Sequence, residues 1–209
     1  MRALPTLRVV EVFASLQGEG LRQGEATIFV RLAGCNLRCS FCDTKRAWSD
    51  GQEMTIQEIL RKILRLQNHV PCSWVCLTGG EPLLQKVGPL AAAIRKAGFR
   101  LQIETNGTFK PGFRADWWTV SPKPPAYRFH PDFVKKAKEV KLVVSKQLKF
   151  STLVNLRKLF PKKVPLILQP QSAKRWSLSK ALRLLKQGQR NGLAPLRLLI
   201  QLHRWLQIP

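Results

Sequence analysis

Apolar and polar positions change period several times along the chain. Val9 to Phe13 reads as a first short strand, and the polar, glycine-containing run Leu16-Gln17-Gly18-Glu19-Gly20 behind it reads as a turn. Thr27 to Leu32 is β-rich. From Thr55 to Leu66 the period becomes helical, with Ile56, Ile59, Leu60, Ile63 and Leu64 on one stripe. Thr55 followed three positions later by Glu58 has the form of a capping box. Trp74 to Leu77 is a buried-type strand ending in Thr78-Gly79-Gly80-Glu81-Pro82. Leu83, Leu84, Val87, Leu90, Ala91 and Ile94 then mark a second helix, stopped at Gly98.

The same alternation runs on. Arg100 to Glu104 is a strand ending in Thr105-Asn106-Gly107, and Trp117 to Val120 is another, ending in Ser121-Pro122-Lys123. Val140 to Val144, Pro165 to Leu168 and Leu196 to Ile200 read as further strands, with helices expected from Ser151 and from Ser177 or Ser179. Such alternation favours a parallel sheet with crossover helices. Nearly every polar or glycine-rich cluster falls just after a strand, where barrels of this type gather their reactive groups. Six such units after Thr27 are too few to close a full barrel. The segments Thr108 to Asp116 and Pro122 to Asp132 have no helical period. The expected fold is α/β: a partial, open (β/α)6 TIM-like barrel with some helices shortened or missing, formed by residues 1–209 as one domain.

Composition fits that reading. The chain has 209 residues, enough for one substantial core. No apolar run approaches the ~20 residues that span a bilayer, and Glu11 interrupts the first apolar segment. No membrane association and a cytoplasmic location are therefore expected. The charge balance is unusual. Lys and Arg number 36 against 12 Asp and Glu, a net +24. Residues 110–209 hold 22 basic and three acidic side chains (Asp116, Asp132, Glu139), so that half carries +19. Such a field attracts phosphates, carboxylates or nucleic acid, or it is a solvated basic surface.

The chemistry concentrates at Gly34 to Thr44, where Cys35, Cys39 and Cys42 stand in a C-x3-C-x2-C spacing. Three thiolates without a fourth suit a four-iron cluster with one iron open to an exogenous ligand. A zinc knuckle completed by a histidine or Cys76 is the alternative, since structural zinc takes four closed ligands. Cys72 and Cys76 read as buried small hydrophobes, and the odd count of five cysteines argues against a disulfide framework.

The cysteine loop together with Gly79-Gly80-Glu81-Pro82 resembles the radical S-adenosylmethionine (SAM) enzymes. Leu16 to Gly20, Cys42-Asp43-Thr44, Thr78 to Pro82, Glu104 to Thr108, Ser121-Pro122-Lys123 and Gln201-Leu202-His203, in that order, resemble the 7-carboxy-7-deazaguanine synthase family. The resemblance implies a lyase that converts 6-carboxy-5,6,7,8-tetrahydropterin to 7-carboxy-7-deazaguanine with loss of ammonia, on the route to queuosine and other 7-deazapurines. It implies Cys35, Cys39 and Cys42 as ligands of a [4Fe-4S] cluster. It implies SAM contacts from Phe41, Cys42, Asp43, Gly80, Ser121, Pro122, Lys123, Gln169, Pro170, Gln171 and Ser172. Leu16, Gln17, Gly18, Arg31, Thr78 and Pro209 would hold the pterin, and Thr44 would ligate Mg2+. His203 is given no chemistry. A homodimer served by an electron-donor protein is expected. Two rivals share parts of the pattern: an activase that makes a radical on a partner protein, and a basic zinc module that binds nucleic acid.

Overall fold

The computed structural model describes residues 5–172 and 174–209. In chain order the elements are β1 (Thr6–Leu16), β2 (Ala26–Leu32), β3 (Gln52–Thr55), α1 (Ile56–His69), β4 (Trp74–Gly79), α2 (Gly88–Lys96), β5 (Arg100–Thr105), β6 (Trp117–Val120), α3 (Phe133–Lys136), β7 (Glu139–Val144), α4 (Phe150–Leu159), β8 (Leu166–Pro170), α5 (Arg175–Arg190), β9 (Leu196–Leu198) and α6 (Leu202–Leu206). The nine strands form one sheet in the order β3-β1-β2-β4-β5-β6-β7-β8-β9. From β2 onward every neighbouring pair is parallel. β1 runs antiparallel to β2 and to β3. The sheet ends at β3 and β9 without closing, so the barrel is open, as expected.

Three local differences from the sequence reading have physical causes. β3 was not anticipated, because Gln52-Glu53-Met54-Thr55 has no apolar alternation and forms only by pairing with β1 at the sheet edge. The second helix begins at Gly88, not Leu83. Leu83 and Leu84 sit in a separate 3-10 turn capped by the Glu81 side chain, and Pro89 starts the true helix. The short α3 was also not foreseen, because its four residues make about one turn, too little to show a helical period. The Thr55–Glu58 capping box is present, with Thr55 Oγ1 accepting from the Glu58 amide at 3.2 Å and Glu58 Oε2 accepting from the Thr55 amide at 2.7 Å.

Period-two alternation gives the sheet two unlike faces. Val75 and Leu77, Leu101 and Ile103, Trp118 and Val120, and Val140, Leu142 and Val144 join the helices in one apolar core. The residues between them, including Gln102, Glu104, Thr119, Glu139 and Lys141, face the barrel interior. That interior is filled by the β1–β2 loop. Arg22 on this loop is 2% exposed. Its guanidinium lies 3.5 Å over the Trp74 ring and donates to Gln102 Oε1 at 2.5 Å. Arg100 stacks on the same ring at 4.3 Å. The loop's Leu21 amide donates to the buried Glu139 carboxylate at 2.6 Å, and Thr119 donates to it at 2.7 Å. Gly20 has φ +71°, and a Cβ there would overlap the Glu139 carboxylate.

The C-terminal segment closes onto the same loop. The Leu202 amide donates to Gly18 O at 2.8 Å, Gln23 donates to Ile200 O at 2.5 Å, and Ser15 Oγ donates to Pro209 O at 2.8 Å. A Cβ at Gly18 would overlap the His203 ring. The glycines of Gln17-Gly18-Glu19-Gly20 are therefore required by close packing on two sides. Gly20→Ala should lower stability by about 2 kcal/mol, combining the left-handed backbone with the lost Leu21–Glu139 bond. A urea unfolding midpoint equal to that of the parent protein would contradict this packing.

Candidate active site

The site forms where β2 and β4 end side by side. The Gly80 amide donates to Leu32 O at 3.0 Å and the Glu81 amide to Gly34 O at 2.8 Å. A Cβ at Gly79 would overlap the Leu32 backbone, and one at Gly80 would overlap the carbonyl oxygens of Gly34 and Ala47. The close approach that demands glycine at position 80 is therefore to the entry of the cysteine loop. Gly80 also lines the cleft. Glu81 is fully buried and points away from solvent. Its carboxylate accepts from Thr105 Oγ1 and the Asn106 amide, both at 2.7 Å, and from the Leu83 amide at 3.0 Å. Burial pushes its pKa up against the pull of these donors. Asn106 Nδ2 in turn donates to Asn36 Oδ1 at 2.9 Å, and Asn36 Nδ2 donates to Thr108 Oγ1 at 3.0 Å. The end of β5 is thus tied to Glu81 on one side and to the cysteine loop on the other.

Cys35, Cys39 and Cys42 are free, half-buried thiols that line one cleft of about 460 Å3. Burial raises the Cys39 thiol pKa. The charge of Lys123 opposes that, and the two neighbouring cysteines add to it. A structural zinc takes four closed ligands, and the loop supplies three. The donor set, three thiols and no fourth cysteine in the loop, fits a four-iron cluster better. Cys76, the candidate fourth zinc ligand, is fully buried and is not part of the cleft wall.

The opposite wall carries charge. Lys141 is 6% exposed and pairs with Glu19, and it lies 3.6 Å from Glu104. Burial opposes its charge, but Glu104 and Glu19 outweigh that and push its pKa up. Burial likewise works against ionised Glu19, yet Lys141 and the Gln201 amide hold its pKa down at about 2. Gln201 Nε2 donates to Glu19 at 2.7 Å and to Asp43 at 2.9 Å, joining this wall to the cysteine loop. Thr78 Oγ1 donates to Glu104 at 3.1 Å, as does Gln17 Nε2 at 3.3 Å. Lys123, its pKa lowered by burial and then by Lys141, donates to Ser121 O at 2.9 Å and also to Ser121 Oγ.

At the rim, Arg31 Nε donates to Glu11 at 2.6 Å, and Arg46 donates to the same oxygen at 2.5 Å. Arg31 also lies 5.4 Å over the Phe13 ring, which stacks on Phe29. Thr44 Oγ1 donates to Asp43 at 3.1 Å. Ligand atoms of Asp43, Glu19 and His203 all lie within 4.8 Å of one another.

The expected site residues that line the cleft are Leu16, Gln17, Gly18, Arg31, Cys35, Cys39, Phe41, Cys42, Asp43, Thr44, Thr78, Gly80, Ser121, Lys123, Gln169, Gln171, Ser172 and Pro209. Pro122 and Pro170 do not. Both are buried, while the residues on either side of each line the cleft. Glu19, Glu104, Lys141, Gln201 and His203 also line the cleft and were not assigned roles from the sequence. For Glu104 and Lys141 the signal was present in the alternation of Arg100 to Thr105 and Glu139 to Val144, where polar side chains fall opposite the apolar set.

The Radical SAM superfamily model matches residues 29–115, which contain the cysteine loop and the ends of β4 and β5. The 7-carboxy-7-deazaguanine synthase of Aquifex aeolicus is 34% identical over 189 residues, covering 85% of this chain and 83% of that protein. The enzyme of the same name from Hyperthermus butylicus is 44% identical over 146 residues, 63% of this chain and 60% of that protein. For several curated relatives the matched stretch spans about half of their own length, as in the 58% covered for Pyrobaculum aerophilum and the 43% for Methanospirillum hungatei. In structure, QueE from Escherichia coli superposes with a TM-score of 0.78 at 28% identity, covering 95% of both chains.

The charged wall gives a pH signature. Glu19 is held at about 2 in the folded protein against an ordinary 4.5, so its contribution is complete above pH 4.5 and is lost as pH falls toward 2. Glu19→Gln should cost about 2 kcal/mol at neutral pH, and the difference from the parent protein should shrink to near zero at the acid end. A gap independent of pH between 6 and ~2.5, measured by denaturant unfolding, would contradict the pairing.

Proposed function

The chain belongs to the 7-carboxy-7-deazaguanine synthase family, and from that premise we propose that it converts 6-carboxy-5,6,7,8-tetrahydropterin to 7-carboxy-7-deazaguanine with loss of ammonia, a step toward queuosine and related 7-deazapurines. The observation that carries this reading is the meeting, in one cleft of about 460 Å3, of three free thiols, the glycine-rich end of β4 and a wall of paired charge. Membership in the radical SAM superfamily implies a [4Fe-4S] cluster and SAM, which when bound supply the one-electron chemistry that removes and returns a hydrogen atom. The rest is binding and placement by this chain.

Cys35, Cys39 and Cys42 would hold the cluster, on a loop kept in place by the Asn36–Asn106 bond. Phe41, Cys42, Asp43, Gly80, Ser121, Lys123, Gln169, Gln171 and Ser172 would contact SAM. Lys123 is pinned on Ser121 and adds positive charge beside Cys39, which favours anionic groups there. Leu16, Gln17, Gly18, Thr78 and Pro209 would hold the pterin. Arg31 spends Nε on Glu11, and its terminal nitrogens suit a carboxylate fork. Thr44 would ligate Mg2+ through its hydroxyl, with Asp43 and Glu19 adding negative charge nearby; oxygen donors suit that hard cation. We read residues 1–209 as one domain, acting as a homodimer in the cytoplasm with an electron-donor protein that reaches the cysteine loop.

Anaerobic reconstitution followed by assay with the carboxypterin tests the reading. The expected result is the deazaguanine acid with release of ammonia. An iron-loaded protein that binds SAM but yields no such product would refute it. Thr44→Ala should retain iron and need at least ~10-fold more Mg2+ for half-maximal rate. An unchanged Mg2+ response would remove Thr44 as the ligand.

A further inference from the structure

The outer surface of the C-terminal half is charged with one sign. Between residues 133 and 209 the only acidic side chain is Glu139, and it is fully buried in the barrel interior. Lys135, Lys136, Lys138, Lys146, Lys149, Lys158, Lys162 and Lys163 are all exposed. Among the described residues no side chain after Lys141 takes part in an ion pair.

The pattern is sharpest on α5. Its Ser177, Ala181, Leu184 and Gly188 are buried. At about 100° per residue, Arg175, Arg183, Lys186 and Arg190 fall within an arc of roughly 80° on the opposite side. All four are exposed. They extend over ~22 Å of helix. Lys180, by contrast, is spent on the carbonyl oxygens of Ser145 and Lys146 at 2.9 and 2.8 Å. Arg183, Lys186 and Arg190 are like-charged neighbours at three- and four-residue spacing, which weakens a helix. Lys174 and Arg175 stand at the positive end of the helix dipole, and the first turn holds no acid. The like-charge spacing and the basic first turn cost stability, and among the described residues no acidic side chain pairs with them.

We infer that this face of α5 is a docking surface for the phosphodiester backbone of nucleic acid. A stripe of four unpaired cations, bordered among exposed apolar side chains of the helix only by Leu182 and Trp176, suits phosphate contact, which needs charge alone. A specific protein interface would need a buried apolar core. A membrane-lying helix would need its apolar face free, and here that face is packed on the sheet. Trp176, 38% exposed beside Arg175, offers a ring on which an unpaired base can stack, which favours single strands. The surface is separate from the cleft, and its occupancy does not depend on the reaction assigned above.

The test uses the full-length protein and a labelled single-stranded RNA about 20 nucleotides long, followed by fluorescence anisotropy. Four phosphate contacts predict a slope near −2.8 in log affinity against log salt, a loss of roughly 50-fold between about 50 and 200 mM. The variant Arg175→Gln, Arg183→Gln, Lys186→Gln, Arg190→Gln should bind at least ~10-fold more weakly with a correspondingly flatter slope. Circular dichroism and an unfolding midpoint at or above that of the parent protein would show that the helix is intact. Equal RNA binding by parent and variant overturns the inference. So does the absence of RNA binding at low salt, or binding to anionic phosphatidylserine vesicles in preference to RNA.

Discussion

Lys141 is a buried ammonium on the interior face of a sheet, and it is stable there only because Glu19 and Glu104 stand against it. Glu19 comes from the β1–β2 loop and Glu104 from β5, so this charge pairing holds the loop inside the barrel. Arg22, stacked on Trp74 and bonded to Gln102, does the same lower down. A sheet with apolar residues on one face and ionisable ones on the other needs such a plug. Without it, Lys141 would keep only Glu104, and Glu139 would keep only Thr119 and Trp117. The antiparallel β1 brings the loop back to that interior, and Gly18 and Gly20 let it fit between His203 and Glu139.

The same plug shapes the cleft. Gln17 and Glu19 form part of its wall, and Gln201 connects Glu19 to Asp43 in the cysteine loop. The loop itself is fixed at its entry by backbone contact with Gly80 and along its length by Asn36 on Asn106. Thiols, strand-end glycines and paired charges are therefore mechanically coupled. A change in the interior charges would reach the cysteine loop through Gln201, and a change at Glu81 would reach it through Asn106.

Much of this was legible in the sequence because it rests on local signals. Eight of the nine strands, the Thr55–Glu58 cap and the cysteine loop each announce themselves within a short window. The edge strand β3 did not, since Gln52 to Thr55 is extended only because β1 lies beside it. The false start of the second helix at Leu83 came from counting apolar spacing through Pro89. The charged wall was missed for a different reason. Attention to polar clusters after each strand passes over polar residues within it, and Glu104 and Lys141 are identified only once alternate positions are assigned to opposite faces. Their partners Glu19 and Gln201 are far away in sequence, so pairing them required the fold. The reason for Gly80 also needed three dimensions, because the atoms that exclude a side chain belong to Gly34 and Ala47.

Whether the three cysteines hold a cluster with an open iron that faces a SAM site is read out by electron paramagnetic resonance of the anaerobically reconstituted, reduced protein with and without SAM. The expected result is a four-iron signal whose g-values shift when SAM is added. A colourless protein that binds zinc in place of iron, or a cluster signal that SAM leaves unchanged, would contradict it.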